Sequence, residues 1–377
     1  MKFSVLANDT KSSGRYGKIS TVHSTFETPV FMPIGTSAAV KTIDPKFLQD
    51  LDIGIILANT YHLYIRPGHE IIHSGGGMHD FMSWNNSNIT DSGGFQVFSL
   101  AKLNKISDDG VTFQSHLDGS THFFSPELSI DIQRSLGTDI IMAFDECPPA
   151  NVEKSVVASA VDRTYDWMQK CEAHLKKSKP LYNWKQTLFP IVQGGVYPEL
   201  RKKSLEQLVP LADCGVAIGG LAVGEDKSAM FDIIEFMDEL LPKNQPRYLM
   251  GVGRPTDLIR AIRFGVDMFD CVLPTRNARN GQLFTSEGII NISNGEYKKS
   301  FEKIDKECLC YTCVNFSKAY LRHLFNIGEV LGLRLATIHN LYYYNNLMLT
   351  VRNKIRSGDF DVWSKSYLKK MEHHRGM

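Results

Sequence analysis

Short segments that are apolar on both faces alternate along the chain with longer segments that are apolar on one side only. The first kind is typical of buried parallel strands, and the second of helices that pack one face on a sheet. The apolar strand candidates are residues 30–34, 53–58, Ile89 with the turn after it, 140–144, 189–192, 216–218, 248–250 and 268–269. The pattern therefore predicts eight buried strands separated by helices.

Several of the intervening helices carry start signals. Asp44-Pro45, Ser125-Pro126 and Arg254-Pro255 each place proline at the first helical position, where its missing amide hydrogen costs nothing. A longer helix is predicted over residues 152–175, whose apolar positions repeat at helical spacing. Strand and helix units in this order favour an α/β fold of the (β/α)8 TIM-barrel type.

The chain length of 377 residues leaves room for more than a barrel. Because such a barrel needs roughly 250 residues, we expect insertions and two regions, a TIM-barrel region over 1–288 and a helical C-terminal region packed on it over 289–377. An open doubly wound sheet is the alternative. It predicts a glycine-rich phosphate loop after the first strand, and none follows residues 30–34.

Composition narrows the class of protein. The chain has 42 Lys and Arg against 41 Asp and Glu, a net charge of +1, and 43% hydrophobic residues. These values exclude a disordered or strongly basic chain, although a local basic patch is enough to bind nucleic acid. The longest apolar run, residues 53–58, is too short to span a bilayer, and the N-terminus has no signal-peptide pattern. We expect a cytoplasmic protein with no membrane partner.

The seven cysteines do not form a disulfide framework, because the count is odd and four of them lie singly. The other three are Cys308, Cys310 and Cys313, and His339 follows 26 positions later. Three thiolates and one imidazole would complete a closed, tetrahedral site of the structural zinc type. The alternative is three buried or reactive thiols beside a core histidine. The spacing favours a structural Zn²⁺ site with no open position for catalysis.

Polar residues follow the predicted strands and would meet at one rim of a barrel. They are residues 91–96 after the third strand, 145–147 after the fourth, 193–195 after the fifth, 219–222 after the sixth, Met250 and Gly251 after the seventh, and Asp270 and Cys271 after the eighth. Each segment alone is ordinary turn or helix-cap chemistry. Carboxylates and an amide recurring at one rim in successive units indicate a functional site.

Several carboxylates at one rim suit a reaction with an oxocarbenium-like transition state, in which one acts as nucleophile and another as acid and base. Gln193 offers donors and an acceptor, and Phe95 and Met250 could sandwich a flat ring. Arg276 and Arg279 follow the last strand and could clamp phosphates or stack on unpaired bases, although a solvated loop explains them as well. The residues predict glycosidic chemistry on a nucleobase.

Taken together, these motifs resemble the tRNA-guanine transglycosylases, and most closely the bacterial queuine tRNA-ribosyltransferases. The motifs lie in the family's order over nearly the whole chain: residues 91–96, 144–147, 192–195, 219–225, 270–279, and the set Cys308, Cys310, Cys313 and His339. The resemblance implies a TIM barrel with a zinc subdomain. It also implies a pentosyltransferase that exchanges guanine at the wobble position of tRNAs with GUN anticodons (Asp, Asn, His and Tyr types) for 7-aminomethyl-7-deazaguanine (preQ1), a step in queuosine biosynthesis.

The resemblance further implies a role for each motif residue. Asp270 would be the nucleophile that attacks C1′ of the wobble ribose and holds the tRNA as a covalent glycosyl-aspartate, while Asp91 handles the proton on the base. The substrate-binding residues would be Asp145 at the amino edge of the base, Gln193 and the Gly220 amide at its carbonyl edge, the Leu221 carbonyl at the aminomethyl group, Glu225 in support of that loop, and Phe95 and Met250 on the two faces.

Outside the base pocket, the resemblance implies three further features. The segment of Thr275, Arg276, Asn277, Ala278 and Arg279 would contact the anticodon loop, and each subunit would hold one structural Zn²⁺. Val223 favours preQ1 over the bulkier queuine, because the eukaryotic relatives have glycine there. The protein would be a homodimer through its zinc subdomain, where Tyr320 and His323 match contact positions and Phe316 replaces a larger tryptophan.

Two other functions are open on the residues alone. A zinc-stabilised glycoside hydrolase acting on carbohydrate is compatible with paired acids, but a site for polyols normally has more tryptophan at its rim than a chain with four Trp provides. A non-catalytic RNA-binding subunit of the same fold would typically lack the nucleophile. Because Asp270 and Asp91 are both present, the transglycosylase is favoured over both.

Overall fold

The protein has a mixed α/β fold in which parallel sheets are covered by helices. The structure, a computed structural model, describes residues 1–100 and 104–372. The strands are β1 (Lys2–Asn8), β2 (Arg15–Ser20), β3 (Thr25–Thr28), β4 (Val30–Met32), β5 (Ile55–Ala58), β6 (Ser87–Thr90), β7 (Asn104–Ser107), β8 (Gly110–Gln114), β9 (Thr121–Phe124), β10 (Ile140–Met142), β11 (Thr187–Phe189), β12 (Ile191–Val192), β13 (Val216–Ile218), β14 (Arg247–Leu249), β15 (Met268–Asp270), β16 (Gln282–Thr285) and β17 (Gly288–Asn291).

Helices follow most of the parallel strands. They are α1 (Pro45–Asp50), α2 (Thr60–Ile65), α3 (His69–Ser74), α4 (Gly77–Met82), α5 (Gly94–Leu100), α6 (Pro126–Leu136), α7 (Lys154–Lys177), α8 (Pro198–Leu208), α9 (Lys227–Asp238), α10 (Pro255–Arg263), α11 (Leu273–Arg279), α12 (Tyr311–Asn315), α13 (Lys318–Asn326), α14 (Val330–Ser357) and α15 (Phe360–Glu372). Short 3-10 helices span Val209–Leu211 and Gly295–Lys299. Among the helices of the described residues, none combines the length and the apolarity that crossing a membrane requires.

The parallel strands form two sheets, with the orders β11-β10-β6-β5 and β12-β13-β14-β15-β4. Only Pro190 separates β11 from β12; its carbonyl accepts a hydrogen bond from the Ala217 amide (2.9 Å), so the chain passes directly from one sheet to the other. At the opposite edges, a single parallel bridge joins Ile34, just after β4, to Leu57 of β5. The strands therefore neighbour one another in chain order from β4 to β15.

Both faces of the parallel strands are buried, which explains why most of them are continuous apolar runs; β6 is the exception, with Ile89 as its one apolar residue. In β5, Ile55 and Leu57 belong to a cluster that alternate residues of both parallel sheets build together, here called the inner cluster. Ile56 and Ala58 point the other way, into the larger core beneath the helices. Because side chains alternate along a strand, each strand contributes to both cores.

The predicted strands and helix starts are confirmed, with small differences in extent. Each of the eight predicted segments contains a strand, and residues 189–192 are split by Pro190. Asp44 and Ser125 cap α1 and α6 by accepting hydrogen bonds from the amides of Phe47 (2.9 Å) and Leu128 (3.1 Å). The long helix α7 begins two residues later than predicted, at Lys154.

Three antiparallel sheets were not predicted: β1-β2-β3, β7-β8-β9 and β16-β17. Strand β1 alternates exposed with half-buried positions. It lacks the continuous apolar run that identified the parallel strands, because no layer covers its outer face.

The C-terminal region shares the main core. The 28-residue helix α14 carries Leu335 and Ala336 in a cluster around the three cysteines, while Tyr344 and Met348 of the same helix pack in the large core. The Tyr344 hydroxyl donates to the Gly253 carbonyl at 2.6 Å. The predicted boundary between 288 and 289 falls inside the β16-β17 hairpin, and residues 373–377 of the predicted region lie outside the described residues.

Candidate active site

A cavity of about 350 Å³ lies where the parallel strands end. The alternation of each strand decides which side chains reach it. Asp270 ends β15 on the same face as Met268, and Met250 follows β14 on the same face as Tyr248, so both continue the inner cluster. The predicted residues that line the cavity are Asp91, Phe95, Asp145, Gln193, Gly220, Leu221, Met250, Asp270 and Arg276.

Asp91 is a buried carboxylate held by neutral donors from two neighbouring strand ends. Its Oδ1 accepts from the Thr60 amide at 2.8 Å, and its Oδ2 accepts from the side-chain amides of Asn59 (2.5 Å) and Gln96 (2.8 Å). Burial raises the pKa of Asp91 to about 6, with the nearby charge of Asp270 adding to the rise and the hydrogen bonds opposing it. A carboxyl group in this range can both give and take a proton near neutral pH.

Asp270 is also buried, and two donors approach the same oxygen. The Tyr248 hydroxyl (2.6 Å) and the Gly251 amide (2.9 Å) both donate to Oδ1. Burial raises the pKa of Asp270, and these two bonds oppose the rise because they stabilise the charged form. The arrangement holds a carboxylate in one orientation while its other oxygen, Oδ2, receives neither of these bonds.

Asp145 and Gln193 form a second polar pair in the cavity. The Gln193 side-chain amide donates to Oδ2 of Asp145 at 2.7 Å, and the Ser92 hydroxyl donates to Oδ1 at 2.7 Å. Burial raises the pKa of Asp145 to about 6, and both hydrogen bonds oppose the rise. The Gln193 Oε1 atom is buried without a hydrogen-bond partner among the described residues, so this wall offers an unused acceptor.

The wall beside Gln193 is a loop of backbone groups after β13. Gly220 has a φ of +62°, and a Cβ there would lie 2.2 Å from Gln193 Oε1, so glycine is required on both grounds. Glu225 closes the loop by accepting from the amides of Ala222 and Val223, the latter at 2.9 Å. The carboxylate of Glu225 thus fixes the peptide groups that follow Leu221.

Phe95 and Met250 stand at the open side of the cavity. Phe95 lies at the start of α5 with 51% of its surface exposed, and Met250 is half-buried. Both side chains line the cavity. An exposed aromatic ring at a cavity mouth is available to stack on a flat ligand.

The segment of Thr275 to Arg279 lies in the short helix α11 at the edge of the cavity. Arg276 lines the main cavity and, with Lys41, Thr275 and Arg279, an adjoining one of about 180 Å³. Arg279 Nη1 is buried without a hydrogen-bond partner in the part of the chain that is described. Ala278 is fully buried against the cysteine cluster, and Asn277 is half-buried. The cationic groups of the helix therefore face the two cavities.

The three cysteines and His339 come together as a buried group. His339 Nδ1 lies 3.6, 3.5 and 3.3 Å from the Sγ atoms of Cys308, Cys310 and Cys313. A tetrahedral Zn²⁺ with Zn–S bonds of about 2.3 Å and a Zn–N bond of about 2.0 Å would hold sulfur and nitrogen about 3.5 Å apart. His339 Nε2 donates to the Phe284 carbonyl at 2.7 Å, which leaves Nδ1 as the ligand atom. The group has the composition and spacing to bind such a metal.

A second group of metal-ligand types, His23, His79 and Asp139, lies at the opposite ends of the strands, where Asp139 precedes β10. The two imidazole rings stack with centroids 3.5 Å apart and planes inclined by 20°. Nearly parallel rings direct their in-plane lone pairs side by side rather than toward one ion. His23 Nδ1 instead pairs with Asp139 at 2.8 Å, so the group packs the β2–β3 turn against β10.

Sequence reasoning missed three residues that organise the cavity: Asn59, Tyr248 and Arg201. Asn59 directly follows the predicted strand 53–58, so the rule that found Asp91 could have found it. Tyr248 lies two positions before Met250 and therefore on the same face. Arg201 lies in helix α8 behind the cavity, and nothing in the sequence pattern marks it.

The sequence of the chain is similar to the sequences of known proteins. A sequence model of the family described as Queuine tRNA-ribosyltransferase matches residues 9–373. The chain is 50% identical over 370 residues to the Queuine tRNA-ribosyltransferase of Thermoanaerobacter sp. (strain X514), covering 98% of this chain and 97% of that relative. It is 52% identical over 354 residues to the protein of the same name from Bacillus subtilis (strain 168), covering 93% and 91%. The similarity therefore extends along almost the whole chain.

The raised pKa of Asp145 predicts a pH-dependent effect of Asp145→Asn on stability. Because the pKa is about 6 in the folded state against 3.8 for an ordinary exposed aspartate, the stability that this group contributes is full below about pH 4 and is lost as the pH rises through 6. The variant carries no charge to bury, and the Gln193 amide can turn its free Oε1 toward the new amide. We expect the variant to gain up to about 3 kcal/mol over wild type at pH 8.

Urea unfolding of both proteins between about pH 5 and pH 8 measures this difference. Asp118→Asn is the control, since hydrogen bonds from Ser120 and Ser115 lower the pKa of that exposed carboxyl to about 2. Its effect should be constant over the same range. A difference between Asp145→Asn and wild type that does not grow with pH contradicts the prediction.

Proposed function

The chain belongs to the queuine tRNA-ribosyltransferase family of tRNA-guanine transglycosylases, which are pentosyltransferases, and we propose that it exchanges guanine at the wobble position of GUN-anticodon tRNAs for preQ1. The replacement is a step in queuosine biosynthesis and takes place in the cytoplasm. The observation that carries the proposal is the pair of buried carboxylates, Asp270 and Asp91, facing one cavity with different hydrogen-bond partners.

Asp270 is the nucleophile of the proposed mechanism. Because Tyr248 and Gly251 both hold Oδ1, Oδ2 is the oxygen that attacks C1′ of the ribose. The bond from C1′ to the guanine nitrogen breaks, and its electron pair leaves with the base. The tRNA is then held as a glycosyl ester of Asp270.

Asp91 moves the proton in both halves of the exchange. With a pKa of about 6, it supplies a proton to the departing guanine and takes one from the arriving preQ1, whose ring nitrogen then attacks C1′ and releases Asp270. Two displacements at one carbon retain its configuration. Since one glycosidic bond replaces another, the exchange needs no nucleotide energy source.

The edges of the base are recognised by hydrogen bonds to Asp145, Gln193 and the loop after β13. Asp145 accepts from its amino edge, Gln193 and the Gly220 amide bind its carbonyl edge, and the Leu221 carbonyl accepts from the aminomethyl group. Phe95 and Met250 stack on its two faces, and Glu225 holds the loop through the Ala222 and Val223 amides. Val223 lines the cavity, and we propose that its side chain, larger than the glycine of the eukaryotic relatives, favours preQ1 over the bulkier queuine. Guanine and preQ1 share these edges, so one pocket serves both.

The fold and the RNA-binding surface complete the proposal. The chain order of the strands, the shared inner cluster and the Ile34–Leu57 bridge support closure of the two sheets into one TIM barrel over 1–288, with 289–377 as the zinc-binding region. The anticodon loop binds along α11, where residues 275–279 adjoin the base cavity. Arg276, Arg279 and Lys41 there supply positive charge for its phosphates.

The exchange is tested by incubating the protein with radiolabelled guanine and unmodified tRNA of the GUN-anticodon class. We expect label at the wobble position, blocked by added preQ1. Asp270→Asn should lose exchange and form no covalent tRNA adduct on a denaturing gel, because an amide is a poor nucleophile. Asp232→Asn, an exposed aspartate on α9, is the matched control and should exchange normally.

Two results would overturn this assignment. Exchange at the wild-type rate in Asp270→Asn removes the proposed nucleophile. A folded wild-type protein that incorporates no label, yet releases reducing sugar from oligosaccharides or binds tRNA without reaction, favours the glycoside hydrolase or the RNA-binding subunit instead.

We also propose that Cys308, Cys310, Cys313 and His339 hold one structural Zn²⁺ per subunit. Cys310→Ser should bring the zinc content, measured by plasma mass spectrometry, from one ion per chain to near zero. It should also lower the free energy of unfolding by at least about 3 kcal/mol, because metal binding contributes directly to folding. Cys214→Ser, a cysteine outside the group, is the control. A Cys310→Ser protein with full zinc content and full stability is the contrary outcome.

The zinc-binding region also supports a homodimer. Exposed apolar side chains gather there: Phe301 is 81% exposed and Val314 is 65% exposed. Both line a groove with Phe316 and Tyr320, whose rings stack at 5.4 Å. Apolar surface of this kind is typical of a protein interface. We place the subunit contact at this groove, and His323 lies on the same helix as Tyr320.

A charge in the groove should separate the subunits. We expect wild type to sediment at twice the chain mass and Tyr320→Arg to shift toward the monomer at micromolar concentration, because an unpaired buried charge is strongly unfavourable. Val362→Arg changes a 66% exposed residue on α15 and serves as the control. Sedimentation of Tyr320→Arg as a stable dimer argues against this interface.

A further inference from the structure

Arg201 is a fully buried cation whose partners are all neutral. It lies on α8 with 0% of its surface exposed. Nε donates to the Gly195 carbonyl (2.8 Å), Nη1 to the carbonyls of Val192 (2.8 Å) and Gly219 (2.7 Å), and Nη2 to that of Gly220 (3.1 Å). No carboxylate in the described part of the chain lies within ion-pair distance of it. One side chain thus joins the loop of residues 193–195 to the loop of residues 219–222. These two loops form the wall of the cavity that binds the base in the proposed mechanism.

The hydrogen bond from Arg201 to the Gly219 carbonyl directly affects the Gly220 amide N–H. The Gly219 carbonyl and the Gly220 amide N–H belong to the same peptide group. A cationic donor on the carbonyl polarises that group and strengthens its N–H as a donor. The bond to the Gly220 carbonyl fixes the next peptide in the same way, and the bond to Val192 fixes the peptide that leads into Gln193.

Arg201 works from behind this wall. It does not line the cavity, whereas Gln193, Gly219 and Gly220 do. A Cβ built on Gly220 would lie 3.6 Å from Arg201 Nη2 and 2.2 Å from Gln193 Oε1. The guanidinium therefore reaches a bound base only through the backbone of the loop.

We propose that Arg201 is a positioning residue that sets the direction and the donor strength of the Gly220 N–H toward the 6-oxo group of the base. The inference rests on the proposed function, in which Gly220 binds the carbonyl edge. Negative charge collects on the 6-oxo group as guanine leaves C1′. A polarised donor directed at the 6-oxo group stabilises the transition state more than it stabilises the bound ground state. Arg201 should therefore affect kcat as well as base affinity.

A merely structural role makes a different prediction. If Arg201 only holds the loops in place, its loss disorders the whole pocket and weakens every base equally. If Arg201 polarises the Gly220 N–H, its loss weakens specifically the hydrogen bond to the acceptor at position 6 of the base. Guanine and 6-thioguanine separate the two cases, because they differ only in the acceptor at that position and sulfur is the weaker acceptor.

The experiment measures the binding of guanine and 6-thioguanine to wild type, Arg201→Met and Arg201→Lys by competition against labelled guanine. We expect the preference of wild type for guanine over 6-thioguanine to fall about tenfold in Arg201→Met, the value of one good hydrogen bond. Arg201→Lys keeps the charge but not the four-bond geometry, so its preference should fall by a smaller factor. The exchange rate with guanine should show lower kcat in both variants.

Arg247→Lys is the matched control, since Arg247 is also buried and donates to the Leu241 carbonyl at 2.9 Å, at the far end of β14 from the cavity. Its preference should equal that of wild type. An equal loss of affinity for both bases in Arg201→Met, or an unchanged preference, overturns the inference. If Arg201→Met does not fold, the preference of Arg201→Lys decides. Wild type that exchanges no guanine overturns the proposed function itself, whatever the variants show.

Discussion

Three carboxylates, Asp91, Asp145 and Asp270, are buried around one cavity, and none of them forms an ion pair with a cation of the described residues. The chemistry of the site depends on this constraint. Among the described residues, Asp91, Asp145 and Asp270 are held by amides, hydroxyls and backbone N–H groups. An arginine or lysine in contact would lower each pKa, whereas here burial raises it and the hydrogen bonds from neutral donors offset only part of the rise. The site thereby keeps carboxyl groups that can still exchange a proton near neutral pH.

The buried arginine near the cavity follows the same logic. Arg201 lies behind the loops that line the cavity, yet its guanidinium donates to four backbone carbonyls and not to Asp145. The positive charge of Arg201 therefore polarises the loop peptides and does not form an ion pair with the carboxylates of the cavity. Glu225 acts on the same loop from the other side, through the Ala222 and Val223 amides. A cation and an anion thus orient successive peptide groups of one wall.

The cysteine cluster lies outside the cavity but is tied to its edge. His339 donates to the Phe284 carbonyl, and the next residue, Asn340, donates to the carbonyls of Pro274 and Gln282, each at 3.0 Å. Pro274 lies in α11, the helix that carries Arg276 and Arg279. The group that could hold a metal therefore positions the cationic helix through one turn of α14, while the same helix packs on the main core through Tyr344.

Much of this architecture could be read from local pattern. Continuous apolar runs identified most of the parallel strands because both faces of those strands are buried, whereas in β6 only Ile89 is apolar. Proline after Asp44 or Ser125 marked the helix starts because capping involves only neighbouring residues. The rule that polar residues after parallel strands meet at one rim found Asp91, Asp145 and Gln193, and cysteine spacing found the group that could bind a metal. Strand β1 was not predicted because its alternating exposed positions interrupt the apolar signal.

The sequence by itself determined which residue types stand at the ends of the strands, since periodicity and turn chemistry are properties of short segments. Tertiary structure decided what each of them does. Tyr248 reaches Asp270 because β14 and β15 lie side by side, and Asn59 reaches Asp91 because β5 neighbours β6. Arg201 meets its carbonyls only because α8 packs behind two loops. The pKa of each carboxyl depends on such contacts between distant residues, because burial and hydrogen bonding exist only after the strands have packed together.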